Sequence, residues 1–266
     1  MGAIVSQEEK SNALNFINEN FRKISERQMA RILRIGHTAI SRWRRESGLQ
    51  VSKQSVNEDY SKSWSHDMAY ALGFIFADGN VSWNREKSYR ALTITAAEKD
   101  KGHLEALRNK LESTKELLYS KKTKSFRLIA NSKNLCLDLM GLGVIPNKSL
   151  TVKFPRVPGE FLADFIRGVI DGDGTVRYVK RKRSPYFHIT ISSGSKAFLD
   201  KMAEKILEKG ISSKPRRIND NLYLLQYSCS KGLKLAEWIY GTNGLCLQRK
   251  FQQYKNALVA GGGGLS

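Results

Sequence analysis

Two aspartate-glycine steps close two apolar runs, "ALGFIFADG" (71–79) and "IRGVIDGDG" (166–174), so that Asp78 and Asp173 lie 95 positions apart. Each run reads as a buried helix with glycine as its stop signal, and Gly79 and Gly174 are expected in the left-handed conformation that ends helices. Gly73 and Ala77 are four apart, as are Gly168 and Gly172. Small residues at that spacing let two helices meet backbone to backbone. Packed in parallel, the helices would bring Asp78 and Asp173 side by side. Two carboxylates repel at that range unless a cation stands between them. The helix ends add carbonyl oxygens and the negative end of the dipole, and oxygen-only ligands suit Mg²⁺. A paired-metal site on a cationic surface describes phosphodiester hydrolysis, in which metal lowers the pKa of the attacking water and stabilises the leaving oxygen.

The surface is cationic: the formal net charge is +20, of which +17 falls in residues 61–266. Such a field concentrates polyanions, and each Lys or Arg on a phosphate releases a counterion. A lipid surface fits less well, because no basic helix carries an aromatic face. No run approaches ~18 consecutive apolar residues, so no membrane span is expected. Glu8, Glu9 and Glu19 near the N-terminus speak against a signal or transit peptide. The expected location is intracellular, in a bacterial or phage-host cytoplasm or in an organelle. Cys136, Cys229 and Cys246 have no CxxC spacing, against a zinc module or disulfide framework. The histidines, His37, His66, His103 and His188, show no ligand spacing.

The elements that must position the aspartates occur twice. Each copy begins with the apolar helix, followed by strand-like text, "NVSWNREKSYRALTIT" (80–95) and "TVRYVKRKRSPYFHITIS" (175–192). An amphipathic helix follows (99–113 and 195–210), then a second strand pair (115–132 and 213–230) and a further helix (133–143 and 231–241). A basic turn closes each copy, "PNKSL" (146–150) and "LQRKF" (247–251). The predicted fold class is α+β: two pseudo-symmetric αββαββα halves with antiparallel sheets, residues 65–150 and 151–258, with a flexible tail at 259–266. Alternate residues of a strand share a face. The basic residues of these strands and turns, Arg85, Lys87, Arg90, Lys122, Lys124, Arg127, Arg177, Lys180, Arg181, Lys182, Arg183, Lys214, Arg216 and Arg217, are candidates to meet a polyanion, some facing a groove and others contacting phosphates.

Residues 1–50 read as a small all-α domain, joined through a polar linker at 51–64. "SERQMARILRIGHTAISRWRRESGL" (25–49) resembles a helix-turn-helix, preceded by a supporting helix at about 7–23. Ser25 with Gln28 suits a capping box. Met29, Ala30, Ile32 and Leu33 form one apolar face, Ile35, Ile40 and Trp43 the other, and Gly36 sits in the turn. Thr38, Ser41, Arg42, Arg44 and Arg45 would meet DNA. Arg34 occupies the turn position where such motifs usually carry glycine.

The doubled apolar helix ending in Asp-Gly, with αββαββα text between, resembles the single-chain, two-motif LAGLIDADG homing endonucleases over roughly residues 65–257. That resemblance implies motif helices at the interface of the halves, sheets in the DNA major groove, and cations between Asp78 and Asp173 with the Ala77 and Gly172 carbonyls as further ligands. It implies Lys148 and Lys250 as basic residues polarising the water network. The implied activity is Mg²⁺-dependent, site-specific cleavage of double-stranded DNA at a long, pseudo-palindromic or asymmetric target, leaving short 3′ overhangs. Mn²⁺ or Ca²⁺ would support binding, and the protein would act as a monomer. One departure stands out: the earlier motif acid is Asp171 in the second copy and Phe76 in the first. Two alternatives share the fold, a DNA-binding transcription regulator without cleavage and an intron maturase that binds its own intron RNA.

Overall fold

The computed structural model describes residues 7–20, 26–49, 56–84, 89–145, 151–180 and 186–261. The chain divides into two compact units, residues 1–54 and 55–266. Lys148, Arg85, Lys87, Arg181, Lys182, Arg183 and Ser25 lie outside the described residues.

The smaller unit contains α1 (Gln7–Asn20), α2 (Glu26–Leu33) and α3 (His37–Glu46) around a core of Ala13, Ile17, Met29, Ile40 and Trp43. The turn between α2 and α3 places Arg34 at φ 55°, the left-handed residue, while Gly36 sits at φ −59°. Arg34 thus adopts the conformation that glycine would favour, and the Ile35 N–H reaches the Ala30 carbonyl at 3.1 Å. Ile32, expected on the apolar face, is exposed.

The larger unit repeats one pattern. Its first half contains α4 (His66–Asp78), β1 (Gly79–Asn84), β2 (Tyr89–Ala97), α5 (Lys101–Lys110), β3 (Leu118–Ser120), β4 (Ser125–Asn131) and α6 (Lys133–Gly141). The second contains α7 (Leu162–Asp173), β5 (Gly174–Val179), β6 (Tyr186–Ser193), α8 (Lys196–Leu207), β7 (Arg216–Asn219), β8 (Leu222–Ser228) and α9 (Cys229–Tyr240). Each half forms a four-stranded antiparallel sheet, ordered β1-β2-β4-β3 and β5-β6-β8-β7. The hydrophobic alternation sets the faces: Leu92, Ile94, Leu128 and Ala130 turn to the core of one half, Phe187, Ile189, Ile191 and Leu225 to that of the other. Residues 247–251, expected as a closing turn, instead open a further helix, α10 (Gln248–Gly261). Residues 57–64, read as linker, are held on the first half: Glu58 accepts bonds from Ser132 Oγ and Asn134 Nδ2 at 2.8 and 2.9 Å.

At the centre α4 and α7 run parallel with their backbones in contact. A Cβ on Gly73 would stand 2.0 Å from the Phe165 carbonyl oxygen, and one on Gly168 2.1 Å from that of Tyr70. One on Gly172 would stand 2.2 Å from the Ala77 Cβ. The Ser65 hydroxyl caps α4, accepting from the Met68 N–H at 3.1 Å. Gly79 and Gly174 end the helices, but not in the left-handed region. Their φ, ψ values are −95°, 149° and −92°, 170°, because each helix passes directly into a strand. Glycine is required there for room: a Cβ at either position would stand 2.6 Å from the Ile75 or Ile170 carbonyl oxygen.

A methyl at Gly73 meets backbone and cannot be relieved by a rotamer change. Gly73→Ala should lower stability in urea unfolding by about 3 kcal/mol or more. Gly102→Ala, at an open helical position in α5, should raise it by up to ~1 kcal/mol.

Candidate active site

Parallel packing brings the C-terminal ends of α4 and α7 to one seam. Asp78 and Asp173 are the last residues of these helices, and Asp78 Oδ2 lies 3.4 Å from the position of a Gly172 Cβ. A cleft of about 420 Å³ opens there, lined by Asp78, Asp171 and Gly172 of the motifs, with Asp100 and Arg249 at its side. Two further residues define the seam. Arg249, on α10 of the second half, grips Asp100, at the end of a 3-10 turn before α5 in the first, through Nε and Nη2 at 2.9 and 3.0 Å.

The second motif helix is held by buried charge. Arg167 is 1% exposed and bonds Asp164 Oδ1 at 2.6 Å, Ile239 O at 2.5 Å, Thr242 Oγ1 at 2.6 Å and Leu245 O at 2.9 Å. The remaining oxygen of Asp164 meets His66 Nδ1 of α4 at 2.7 Å. Asp171 Oδ2 accepts from Tyr70 Oη and from the Leu247 N–H, both at 2.7 Å. Burial pushes its carboxyl up to about 6, against those bonds and the nearby cations. These contacts bind the segment 239–250 along α7 and deliver Lys250 beneath its end. The Lys250 ammonium donates to the carbonyls of Ile170, Asp171 and Gly174 at 2.7, 2.7 and 2.6 Å, with Gly172 O at 3.5 Å. It thus satisfies carbonyls that a helix end leaves without partners, and burial lowers its pKa to about 8.

The described part of the first half has no counterpart to this charge network. Phe76, in the place of Asp171, packs on Phe165 and Phe198, with ring centroids 5.5 and 6.0 Å away. Sequence reading missed Arg167, Asp164, Asp100 and Arg249. Arg167 and Asp164 are polar residues inside the apolar stretch of α7, and that was the available signal. The Arg249–Asp100 pair, 149 positions apart, gave none.

Residues 160–240 match the family model described as a LAGLIDADG-like domain. Among solved structures, I-DmoI in complex with DNA and Ca is similar at 18% identity and TM-score 0.52, over 77% of this chain and 99% of that one. The LAGLIDADG homing endonuclease I-GzeII with its DNA target is similar at 10% identity and TM-score 0.53, over 77% and 94%. The LAGLIDADG meganuclease I-AabMI bound to uncleaved DNA is similar at 14% and 0.51, over 72% and 89%. The chain has the LAGLIDADG homing-endonuclease fold. No curated protein matches it significantly by sequence.

The strand register sorts the remaining basic residues on these LAGLIDADG sheets. Arg127 pairs with Thr95, Arg177 with His188 and Arg216 with Leu224, which puts all three on the face away from the core. Lys122 and Lys124 are exposed in the β3–β4 turn, and Lys180 and Lys214 are exposed at strand ends. Arg90 does not belong with them. It shares the core-side parity of Leu92, and its guanidinium covers the Trp83 ring at 4.5 Å. Arg217 also faces the other way, opposite Tyr223, and is paired with Asp220. In the smaller unit Thr38, Arg42 and Arg45 are exposed, whereas Ser41 and Arg44 are not available to a groove. Both bond Glu26 at 2.5 Å, and Arg44 also donates to Leu49 O at 2.6 Å. An acid on α2 has taken up the polar side of α3.

His103 of α5 bonds Tyr70 Oη at 3.0 Å, and burial lowers its pKa to about 4. A histidine kept neutral by the fold contributes stability above its unfolded pKa near 6.5 and loses it as pH falls toward the folded value. The stability difference between wild type and His103→Gln should therefore shift against wild type by up to ~2 kcal/mol between pH 7 and pH 5, measured by urea unfolding at each pH.

Proposed function

We propose that the protein is a site-specific, metal-dependent double-strand DNA endonuclease. The observation that supports this best is the backbone contact of α4 and α7, which brings the helix ends that carry Asp78 and Asp173 to one seam, beside a cleft that Asp78 lines. A Mg²⁺ ion is held by one or two carboxylates, completed by water and substrate phosphate. The donors at the seam, two aspartates and helix-end carbonyls, are hard oxygens that fit it. Asp78 and Asp173 would hold the ions, with the Ala77 and Gly172 carbonyls beside them. Bound metal would lower the pKa of water and stabilise charge on the leaving oxygen. The rest falls to the chain itself. Lys250 holds the end of α7, and with it Asp173, in place, and Lys148, its counterpart in the sequence repeat, would take the matching role in the first half. The Arg249–Asp100 pair ties the halves beside the cleft. The open sheet faces orient the duplex in its major groove, while lysines of the turns contact phosphates.

The relatives I-DmoI and I-GzeII were solved with DNA, in keeping with a duplex as the partner here. The protein would act as a monomer, since one chain carries both halves. Retention of both late acids favours cleavage over a regulator of the same fold, because a pure binder has no use for adjacent carboxylates beside phosphates. The decisive assay is incubation with DNA spanning the uninterrupted insertion site of its own gene, with Mg²⁺ or EDTA. Cutting of both strands is expected in Mg²⁺ alone. Asp78→Asn and Asp173→Asn should each abolish it while leaving gel-shift affinity within a few-fold; full activity in either variant would refute the assignment.

The smaller unit is read as a second DNA contact through the exposed side of α3. Arg42→Ala with Arg45→Ala should weaken binding and reduce its dependence on salt by about two phosphate contacts. Arg44→Ala should instead lower the unit's melting temperature, by removing a half-buried pair. Unchanged affinity and salt slope in the double variant would reduce the unit to a structural appendage.

A further inference from the structure

The two open sheet faces can be superposed through their registers. Gly79 pairs with Ile94 and Gly174 with Ile191, so Ser82 corresponds to Arg177 and Ala91 to His188. Ile94 pairs with Leu128 and Ile191 with Leu225, so Ile129 corresponds to Gln226. At these three places the first half carries Ser82, Ala91 and Ile129 where the second carries the larger hydrogen-bonding groups of Arg177, His188 and Gln226, while Arg127 against Leu224 is the reverse case.

Beside Arg177, part of the second-half set is also prearranged, through the bonds of Gln226, Tyr186 and Ser228. Arg177 lies in the middle of β5, exposed, and enters no ion pair among the described residues. His188 stands opposite it with Nδ1 buried and without a hydrogen-bond partner. Burial and the neighbouring Arg177 lower its pKa. The Tyr186 ring sits 5.0 Å from that of His188. Gln226 Nε2 donates to Tyr186 Oη at 3.0 Å and to Ser228 Oγ at 2.9 Å, and those two hydroxyls meet at 2.9 Å. Among the described residues of the first sheet, Ser82 is turned to the Ala91 carbonyl at 3.4 Å, and Ala91 and Ile129 offer methyl groups alone.

Side chains fixed before binding discriminate better, because less ordering entropy is lost when they meet a base. Arginine pairs through two parallel donors with guanine O6 and N7, whereas alanine and isoleucine offer only apolar contact, as to a thymine methyl. We infer that Arg177, paired across the strands with His188, is a specificity-determining residue that requires guanine in one half-site, and that the symmetry-related position opposite Ser82 and Ala91 has no such requirement. This rests on the reading of the protein as a sequence-specific DNA binder and extends it to the composition of the target.

The test is selection by the full-length protein from a randomised duplex library in Ca²⁺, followed by sequencing. The same selection is run with Arg177→Ala and with Ser82→Arg, each matched to wild type in thermal unfolding. The wild type is expected to enrich a motif with a strongly preferred guanine at the place Arg177 faces and none at its symmetry-related place in the other half. Arg177→Ala should lose about ten- to a hundredfold of discrimination at that base, and Ser82→Arg should create a second preferred guanine at the symmetry-related place. A motif unchanged in Arg177→Ala, or one with equivalent guanines in both halves of the wild type, would overturn the inference while leaving a DNA-binding protein. No enrichment over input, even at low salt, would overturn the DNA-binding reading itself.

Discussion

Everything in the larger unit hangs on the distance between two helix backbones. With Gly73, Gly168 and Gly172 at the contact, carbonyl and Cα atoms of α4 and α7 meet where side chains would ordinarily stand. Because the helices run parallel, their closest approach continues to their last residues, and the two aspartates inherit it. Each helix then passes into its sheet through one glycine, with no loop between. The placement of each open sheet face relative to the cleft is therefore a consequence of the helix contact. If the proposed endonuclease function holds, such direct connections keep chemistry and recognition in register along the duplex, since a loop would add freedom at the point where precision matters.

The halves are alike in backbone and unlike in how they are held. Asp164, Arg167 and Asp171 on α7 have Ala69, Leu72 and Phe76 as counterparts on α4. Buried charges are costly unless paired and hydrogen-bonded. Here they are satisfied by the segment 239–250, which α7 thereby captures along its length. The first motif helix relies on aromatic packing instead, Phe76 lying against Phe165, Phe198 and, through them, Phe154. One interface thus joins a half fastened by apolar area with a half fastened by directional bonds.

Charge is also divided by position. Exposed lysines stand in turns and at strand ends, among them Lys122, Lys124, Lys180 and Lys214, while the described open faces carry hydroxyls, amides and few arginines. Long-range attraction to a polyanion needs number and exposure of cations and tolerates imprecision. Base discrimination needs few groups with fixed directions. On the proposed function, the sheet would supply the second and its connections the first.

The amino-acid sequence alone determined the repeated αββαββα order, the two motif helices, their small-residue contact and the pair of aspartates, because hydrophobic period, glycine spacing and internal repetition are local signals. It also marked Met29, Ile40 and Trp43 as core of the smaller unit. Tertiary structure decided the rest. Arg90 and Arg217 turn from the groove because strand register, set by pairing across many residues, assigns parity. Ser41 and Arg44 are spent on Glu26, a partner on another helix. Gly79 and Gly174 are needed for space, not for a left-handed turn. Lys250 became a helix cap only because Arg167 and Asp171 draw its segment beneath α7. Such partners lie far apart along the chain, and which long-range pairs form depends on the packing of the whole unit, so no local pattern of residues announces them.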